Sequence, residues 1–312
     1  MKPILGTMTF GDQVDKEQAS IMLSSFHASG YRELDTAHVY HDGATEALLG
    51  RLVSEDKHFS IATKVHPWNE KGLQPQRVKQ QFCESLVRLN VDKVDLLYLH
   101  SPDICTPIID TLEACYDLYQ DGLFSRFGLS NFAAWQVAEV VGICQRKNWM
   151  QPTIYEGLYN GLNRDVESEL LPCLHNYGIA FYAYNPLAGG LLTGKYRDIH
   201  NKPNTGRFGT YDAYPERYWK ADYFKVLQFV HVCEKNDILP GEAALRWLCQ
   251  HSMIAPDHSP LDNGVILGVS NQSHLDQNLN AFGAENLPQT VVDVLDQGWD
   301  ITRKNCFRYF RI

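Results

Sequence analysis

Short apolar runs alternate along the chain with longer stretches whose apolar residues recur at three- and four-residue spacing, the signature of strands alternating with helices. Ile4 to Thr9 is strand-like; Asp15 and Gln18 have the spacing of a capping box, and Ala19, Met22, Leu23 and Phe26 share one helical face before Gly30. The pattern recurs with a strand over Arg32 to Ala37 and a helix that Thr45 is placed to cap, its face formed by Leu48, Leu49 and Leu52. Phe59 to Val65 opens a third unit, followed by a helix with Pro75 in its first turn and Val78, Phe82, Leu86 and Leu89 inward. Val94 to His100 reads as the fourth strand. A helix over Pro107 to Asp121 carries Ile108, Leu112 and Cys115 and stops at Gly122. Strand Arg126 to Ser130 then precedes a helix bearing Ala134, Val137, Val141 and Cys144. Two further units are strand Thr153 to Glu156 with a helix over Val166 to Tyr177, and strand Ile179 to Tyr184. The eighth strand, Val265 to Val269, comes after a long interruption; within it, residues 197 to 221 lack periodicity and hold Tyr211, Tyr214, Tyr218 and Trp219.

Near-continuous apolar strands suit a parallel sheet covered on both faces, with the helices as crossovers. Strand starts recur every ~25 to 35 residues, and no linker rich in Pro, Gly or Ser interrupts them. The expected architecture is α/β: a single (β/α)8 TIM barrel over residues 1–312, with a long loop insertion before the last strand and a C-terminal tail over the barrel mouth. A doubly wound open sheet fits less well, because no G-x-G-x-x-G follows a strand; Gly6, Gly11 and the Gly189–Gly190 pair do not have that spacing.

Composition narrows the partners. With 44% apolar and 21% charged residues, no apolar run approaches the roughly 18 residues of a membrane span. The opening MKPILGTMTFG lacks a long apolar leader core, which predicts a cytoplasmic protein. The eight cysteines are scattered through apolar segments without C-x-x-C or neighbouring histidines, and read as reduced packing residues rather than metal ligands. A formal charge of −9 argues against nucleic acid or an anionic membrane surface, so an anionic ligand needs its own local cluster of Lys and Arg. Composition leaves a small molecule as the partner, with no nucleic acid, no membrane and no metal; a homodimer is left open.

The strand ends are unusually polar: Asp35, Lys64, His100, Ser130 with Asn131, Glu156, and Tyr184 with Asn185. In a barrel these ends converge on one mouth, where the chemistry of such folds resides. Taken singly each has an ordinary explanation: Asp35 or Thr36 as a helix cap, His100 as a core histidine, Lys64 reaching to water. Together with Tyr40 they form a proton-transfer device. A tyrosine hydroxyl near pKa ~10 is a poor acid, and a neighbouring ammonium lowers that value. Asp35 would keep Lys64 charged, and His100 would donate to a carbonyl oxygen that Tyr40 then protonates. No side chain supplies a hydride, so a nicotinamide cofactor is implied.

LDTAHVY with Asp35 and Tyr40, ATK with Lys64, LYLHSPD with His100 and GLSNF with Ser130 and Asn131 resemble the aldo-keto reductase superfamily. FYAYNPLAGGLLTGKY, GRF, the RYWK run from Arg217 and the ending RYFR are similar to segments of its aflatoxin-aldehyde reductase subgroup. The resemblance covers essentially the whole chain. It implies a (β/α)8 barrel binding NADPH across the mouth, with Tyr40 as general acid supported by Asp35, Lys64 and His100. It also implies that Tyr184 stacks on the nicotinamide and that Ser130, Asn131 and the residue at Glu156 hold its carboxamide. The loop Asn185 to Lys195, with Pro186, Leu187, Gly189 and Gly190, would fold over the pyrophosphate, and Met8 joins the cofactor set. Glycines allow close approach to phosphate, and Lys195 and Arg207 bring positive charge. Ser270, Gln277 and Asn278 match the family's pattern around the adenosine 2′-phosphate.

Two positions depart from that pattern. His274 stands where many members have Arg, and Glu156 where Gln is usual; a carboxylate accepts from the carboxamide but cannot donate to it. NADPH remains the expected cofactor. Trp68, His100, Tyr214, Arg217 and Phe310, with Phe307 and Tyr309 nearby in sequence, are the expected substrate wall. Aromatic walls favour flat or apolar aldehydes, and Arg217 suggests a carboxylate-bearing one such as succinic semialdehyde, which the subgroup also reduces. The expected activity is NADPH-dependent reduction of aldehydes and some ketones, dicarbonyls included. One rival is a non-catalytic NADPH-sensing subunit of the same fold, like the potassium-channel β subunits. Another is a metal-dependent hydrolase using His38, His41, His66 and His100, whose spacing does not suit zinc.

Overall fold

The computed structural model describes residues 1–53, 58–68, 71–204, 206–210 and 213–311. Eight parallel strands close into a barrel in sequence order: β1 (Lys2–Gly6), β2 (Glu33–Asp35), β3 (Ser60–Val65), β4 (Val94–Leu99), β5 (Phe124–Ser130), β6 (Pro152–Leu158), β7 (Ala180–Tyr184) and β8 (Gly264–Gly268), the last pairing back to β1. Six helices cross between consecutive strands: α1 (Lys16–Ala28), α2 (Ala44–Val53), α3 (Pro75–Leu89), α4 (Ile108–Gln120), α5 (Ala134–Lys147) and α6 (Leu170–Tyr177). Between β7 and β8 lie α7 (Gly206–Thr210), α8 (Ala213–Tyr218), α9 (Ala221–Lys225), α10 (Gln228–Lys235) and α11 (Pro240–Gln250); α12 (Gln272–Asn280) and α13 (Gln289–Thr302) follow β8.

Local rules account for most boundaries. Asp15 caps α1 by accepting from the Gln18 amide, Pro75 occupies the first turn of α3, and Asn90 and Asn148 close α3 and α5 in the left-handed conformation. Other boundaries differ from the sequence reading. Thr45 does not cap α2 but lies inside it, fully buried, its hydroxyl donating 2.8 Å to the Phe10 carbonyl and tying the chain after β1 to the helix. β1 ends at Gly6, short of Thr9, because Met8 and Thr9 form a turn closed by the Phe10 amide on the Thr7 carbonyl; Thr7 itself donates through its amide and its hydroxyl to the Asp35 carbonyl. The helix expected over Val166 to Tyr177 is a short 3-10 turn, Asp165–Glu167, followed by α6.

The stretch 197 to 221, which has no periodicity, is organised by ring contacts instead. Tyr196, Phe208, Trp219 and Phe224 meet edge to face at centroid distances of 4.9 to 5.6 Å, so short helices form without an amphipathic stripe. Tyr211 lies outside the described residues.

Apolar packing falls into two shells. The larger lies between strands and helices; the smaller fills the barrel with Ile4, Leu96, Tyr98, Ile154, Tyr182 and Ile266 among others. Gly128 makes room for that filling: a Cβ there would come within 2.4 Å of the Tyr98 ring. The C-terminal segment is pinned beside the mouth, the Arg311 amide donating 3.0 Å to the Asn131 carbonyl and the Tyr309 hydroxyl bonding Glu169 and the Ala134 amide. Among the described residues no helix is long and apolar enough to cross a membrane, and the eight cysteines are unpaired.

Candidate active site

The barrel's stagger explains why Asp35 and Lys64 meet. Asp35, the last residue of β2, is level with Ala62 of β3; Lys64 is two residues further on and so faces inward on the same side. Its ammonium reaches back to donate 2.6 Å to each Asp35 oxygen and 2.9 Å to the Thr36 carbonyl. On the other side Glu156 Oε2 lies 3.3 Å from the same nitrogen. Lys64 is fully buried, and the two carboxylic side chains are 4% and 5% exposed, so this is a dry cluster of one cation and two acids. The ammonium also sits 5.4 Å from the centre of the Tyr40 ring and 5.5 Å from that of Tyr98.

Burial and neighbours set the charges. Burial alone would lower the Lys64 ammonium, but Asp35 and Glu156 outweigh it and hold the pKa above its ordinary value. Burial pushes the Glu156 carboxyl up to about 8, with the Asp35 charge adding to the effect. For Tyr40 the outcome reverses the sequence expectation. Burial raises the hydroxyl pKa well above its usual value, Lys64 only partly opposes this, and Asp35 and Glu156 reinforce it. Tyr40 therefore keeps its proton in the resting site. Burial, together with the Lys64 and Arg311 charges, pushes His100 well below the usual histidine range, so it is a neutral imidazole; its Nδ1 is buried without a hydrogen-bond partner. A neutral imidazole, a protonated phenol and a buried ammonium around one opening can together polarise and protonate a carbonyl oxygen.

These groups lie at the floor of a cavity of about 910 Å3. Asp35, Tyr40, His100, Ser130, Asn131 and Glu156 line it, whereas Lys64 is not itself on the wall. Asn131, at a left-handed φ of 63°, donates to Ser130 Oγ and the His100 carbonyl and accepts 2.8 Å from the Tyr184 hydroxyl. The ends of β4, β5 and β7 are thereby tied together as one polar shelf.

Along one side run Asn185, Pro186, Leu187, Gly189 and Gly190. Asn185, Ala188, Gly189 and Gly190 take left-handed φ values of 58°, 50°, 69° and 101°, fixed by the Gly189 amide donating to Asn185 Oδ1 and the Gly190 amide to the Leu187 carbonyl. Lys195 and Arg207 stand over this rim with Met8; Arg207 bonds the Tyr214 hydroxyl at 3.0 Å. At the far end Ser270, just before α12, and His274, Gln277 and Asn278, along it, line the cavity; Asn271 caps the helix and His274 Nδ1 lies 3.3 Å from Ser270 Oγ.

The opposite wall carries Trp68, Tyr214 and Arg217. Trp68 lies 4.7 Å from the His100 ring, and Arg217 stacks 4.4 Å over Phe307 with a buried Nε that has no partner. Phe310 is not on this wall. It packs against Tyr309 and Arg308, and the next residue, Arg311, faces the cavity with its guanidinium 5.0 Å over Trp68. Sequence reasoning missed Arg311 within the RYFR ending, since an irregular segment has no period to say which residue turns inward. It also missed Leu239, Pro240, Gly241 and Glu242, which bring the start of α11 to the cavity without any sequence signal. Among the described residues no group of three or more His, Cys, Asp and Glu could hold a metal ion; His38 instead bonds Glu84, and His41 the Met8 carbonyl.

The aldo/keto reductase family model matches residues 3–300. Aflatoxin B1 aldehyde reductase member 2 of Rattus norvegicus is 43% identical over 322 residues, covering 99% of this chain and 87% of that protein. The human aflatoxin B1 aldehyde reductase member 4 is 42% identical over 98% of this chain and 96% of its own length, and human aldo-keto reductase family 7 member A3 is 41% identical over 99% and 96%. With a match spanning nearly the whole barrel and identity above 40% at almost full coverage, the chain belongs to the aldo/keto reductase family, oxidoreductases acting on carbonyl compounds.

Proposed function

We propose that this chain, working as one barrel domain in the cytoplasm, uses NADPH to reduce aldehydes and some ketones, dicarbonyls included. The observation that carries the reading is the buried ammonium of Lys64, clamped by Asp35 and set under the Tyr40 ring at the cavity floor. Tyr40 is the proton donor, Lys64 steadies the phenolate formed when the proton leaves, and Asp35 fixes Lys64 in place. His100, neutral, donates to the carbonyl oxygen and orients it.

Several features fit a dinucleotide. Ser130, Asn131 and Glu156 offer polar groups for a carboxamide beside the Tyr184 ring, the left-handed Asn185–Gly190 turn lets backbone approach phosphate, and Lys195 and Arg207 counter its charge. The capped start of α12, with Ser270 and His274 there and Gln277 and Asn278 further along the same helix, suits a further phosphate and supports NADPH over NADH. When bound, the nicotinamide supplies the hydride that no side chain can. Substrate lies against Trp68 and Tyr214, and Arg217 and Arg311 favour a carboxylate or a strongly polarised oxygen on its far end. The rat relative's name specifies an aflatoxin B1 aldehyde, and bulky aldehydes of that kind are proposed substrates here too.

Purified protein should oxidise NADPH with 4-nitrobenzaldehyde and show a lower KM for 4-carboxybenzaldehyde. NADPH binding without turnover of either aldehyde would turn the reading toward a cofactor-sensing subunit.

A further inference from the structure

The Asp35–Lys64 pair is complete without Glu156. Lys64 has three protons to donate, and the two Asp35 oxygens and the Thr36 carbonyl engage all three. Glu156 is thus a second acid beside an ammonium already committed. Its Oε2 lies 3.3 Å from that nitrogen and has no hydrogen-bond partner. Two carboxylates against one ammonium cannot both ionise freely in a dry site. Asp35 holds the two short bonds, so the shared proton resides on Glu156.

The groups around Glu156 come from five strands and from the segments over the mouth. Asp35 and Tyr40 approach from β2 and the turn after it, Lys64 from β3, and Tyr98 and His100 from β4 and its end. Ser130 of β5 is level with it on one side and Tyr182 of β7 on the other, although the Tyr182 hydroxyl turns down to Glu33; Tyr184 lies above. Tyr214, Arg217 and Arg311 close the mouth. Of these, Lys64 favours the carboxylate while burial and Asp35 oppose it, and the balance lies near physiological pH at about 8.

Glu156 also borders the cavity beside Ser130, Asn131 and Tyr184. On the proposed NADPH reading, on which this inference rests, that is where the nicotinamide lies. We propose that Glu156 makes the site sense the redox state of its cofactor: as a neutral acid it donates a hydrogen bond to the reduced form, and as a carboxylate it pairs with the cationic ring of the oxidised form. Exchange of reduced for oxidised cofactor then releases up to one proton from Glu156 to solvent, with no electrons moved in the exchange. Tyr40 still gives its proton to the carbonyl oxygen, and the hydride to the carbonyl carbon would be the bound cofactor's to supply. A glutamine would fill the same space without this linkage.

The test is the pair of dissociation constants for NADP+ and NADPH, read by tryptophan quenching from about pH 6 to about pH 9 on the full chain and on Glu156→Gln. Protonation of the 2′-phosphate, which both nucleotides carry, affects them alike and cancels in the ratio. In the unmodified protein the ratio of the NADP+ constant to the NADPH constant should fall with rising pH, by at most about tenfold per unit where it is steepest. In Glu156→Gln it should be flat. Calorimetry of the unmodified protein in buffers of different ionisation enthalpy needs no variant, and should show more proton release for NADP+ than for NADPH. A flat ratio in the unmodified protein, or an equal slope in the variant, overturns the role of Glu156 and leaves the reductase reading standing. Failure of both nucleotides to bind at every pH overturns the NADPH reading, and this inference with it.

Discussion

Glu33 and Asp35 stand two residues apart on β2, face the same interior and each meet a lysine, yet the two pairs live in different physical worlds. Glu33 lies at the bottom of the barrel with Lys2, Arg126 and the Tyr182 hydroxyl, and Asp262 also bonds Lys2. The Lys2 and Glu33 side chains are 24% and 22% exposed, so water screens the cluster and completes its hydrogen bonding. Asp35 lies at the top, where Lys64 is fully buried and Glu156 Oε2, His100 Nδ1 and the Tyr98 hydroxyl have no hydrogen-bond partner. The bottom cluster closes the barrel; the top one leaves polar groups unsatisfied in a dry place, where an arriving ligand has most to offer them.

Substitutions can break this contrast. The largest effect expected is on turnover by Tyr40→Phe: kcat falls about 10²- to 10⁴-fold, because the proton donor is lost, while the NADPH dissociation constant stays within about twofold. Single-turnover kinetics beside a binding titration would check it, and retained turnover would remove Tyr40 from its role. Next comes a matched pair. Lys64→Met leaves two acids buried with no cation and should cost roughly 3–5 kcal/mol of stability in denaturant unfolding, whereas Lys2→Met should cost no more than about 1 kcal/mol. Equal losses would mean that the ends do not differ as described.

A pH dependence sharpens the comparison further. The Glu156 carboxyl has a folded pKa of about 8 against an ordinary 4.5. A carboxyl raised in this way imposes no penalty below the unfolded value; its contribution to stability is lost as pH rises toward and through the folded one. Glu156→Gln should therefore be more stable than the unmodified chain at about pH 9, by on the order of a few kcal/mol, and nearly equal to it at about pH 5. Unfolding curves at the two pH values read this directly. The smallest effect belongs to the cavity's exposed far end. His274→Arg should tighten NADPH by up to about tenfold and leave NADH almost unchanged, since a permanent cation gains only where there is a 2′-phosphate to meet.

The top of the barrel was legible in the sequence because a polar residue at the end of an apolar run is conspicuous, and period-two alternation turns Asp35, Lys64 and Glu156 inward together. The bottom was not, since Lys2, Glu33 and Arg126 sit at or near strand starts, where a charged residue looks like ordinary solvated chain. Arg311 and the start of α11 escaped for a different reason: loops have no period, so neighbours such as Phe310 and Arg311 cannot be told apart by the side they present. The direction of the Tyr40 shift was misread because adjacency to Lys64 can be inferred from strand order, while the amount of water removed depends on everything packed around the mouth.

The four left-handed residues of the Asn185–Gly190 turn, Asn185, Ala188, Gly189 and Gly190, have an entropic meaning. Ala188 carries a side chain in a region that disfavours one, and it is held there by a hydrogen bond from its amide to the Asn185 carbonyl and by the Asn185 side-chain oxygen accepting from the Gly189 amide. That conformational cost is met once, when the protein folds, and is not charged again when a phosphate arrives. The rim is thus set before its ligand comes, and the free energy of each new contact goes to affinity instead of to ordering a loop.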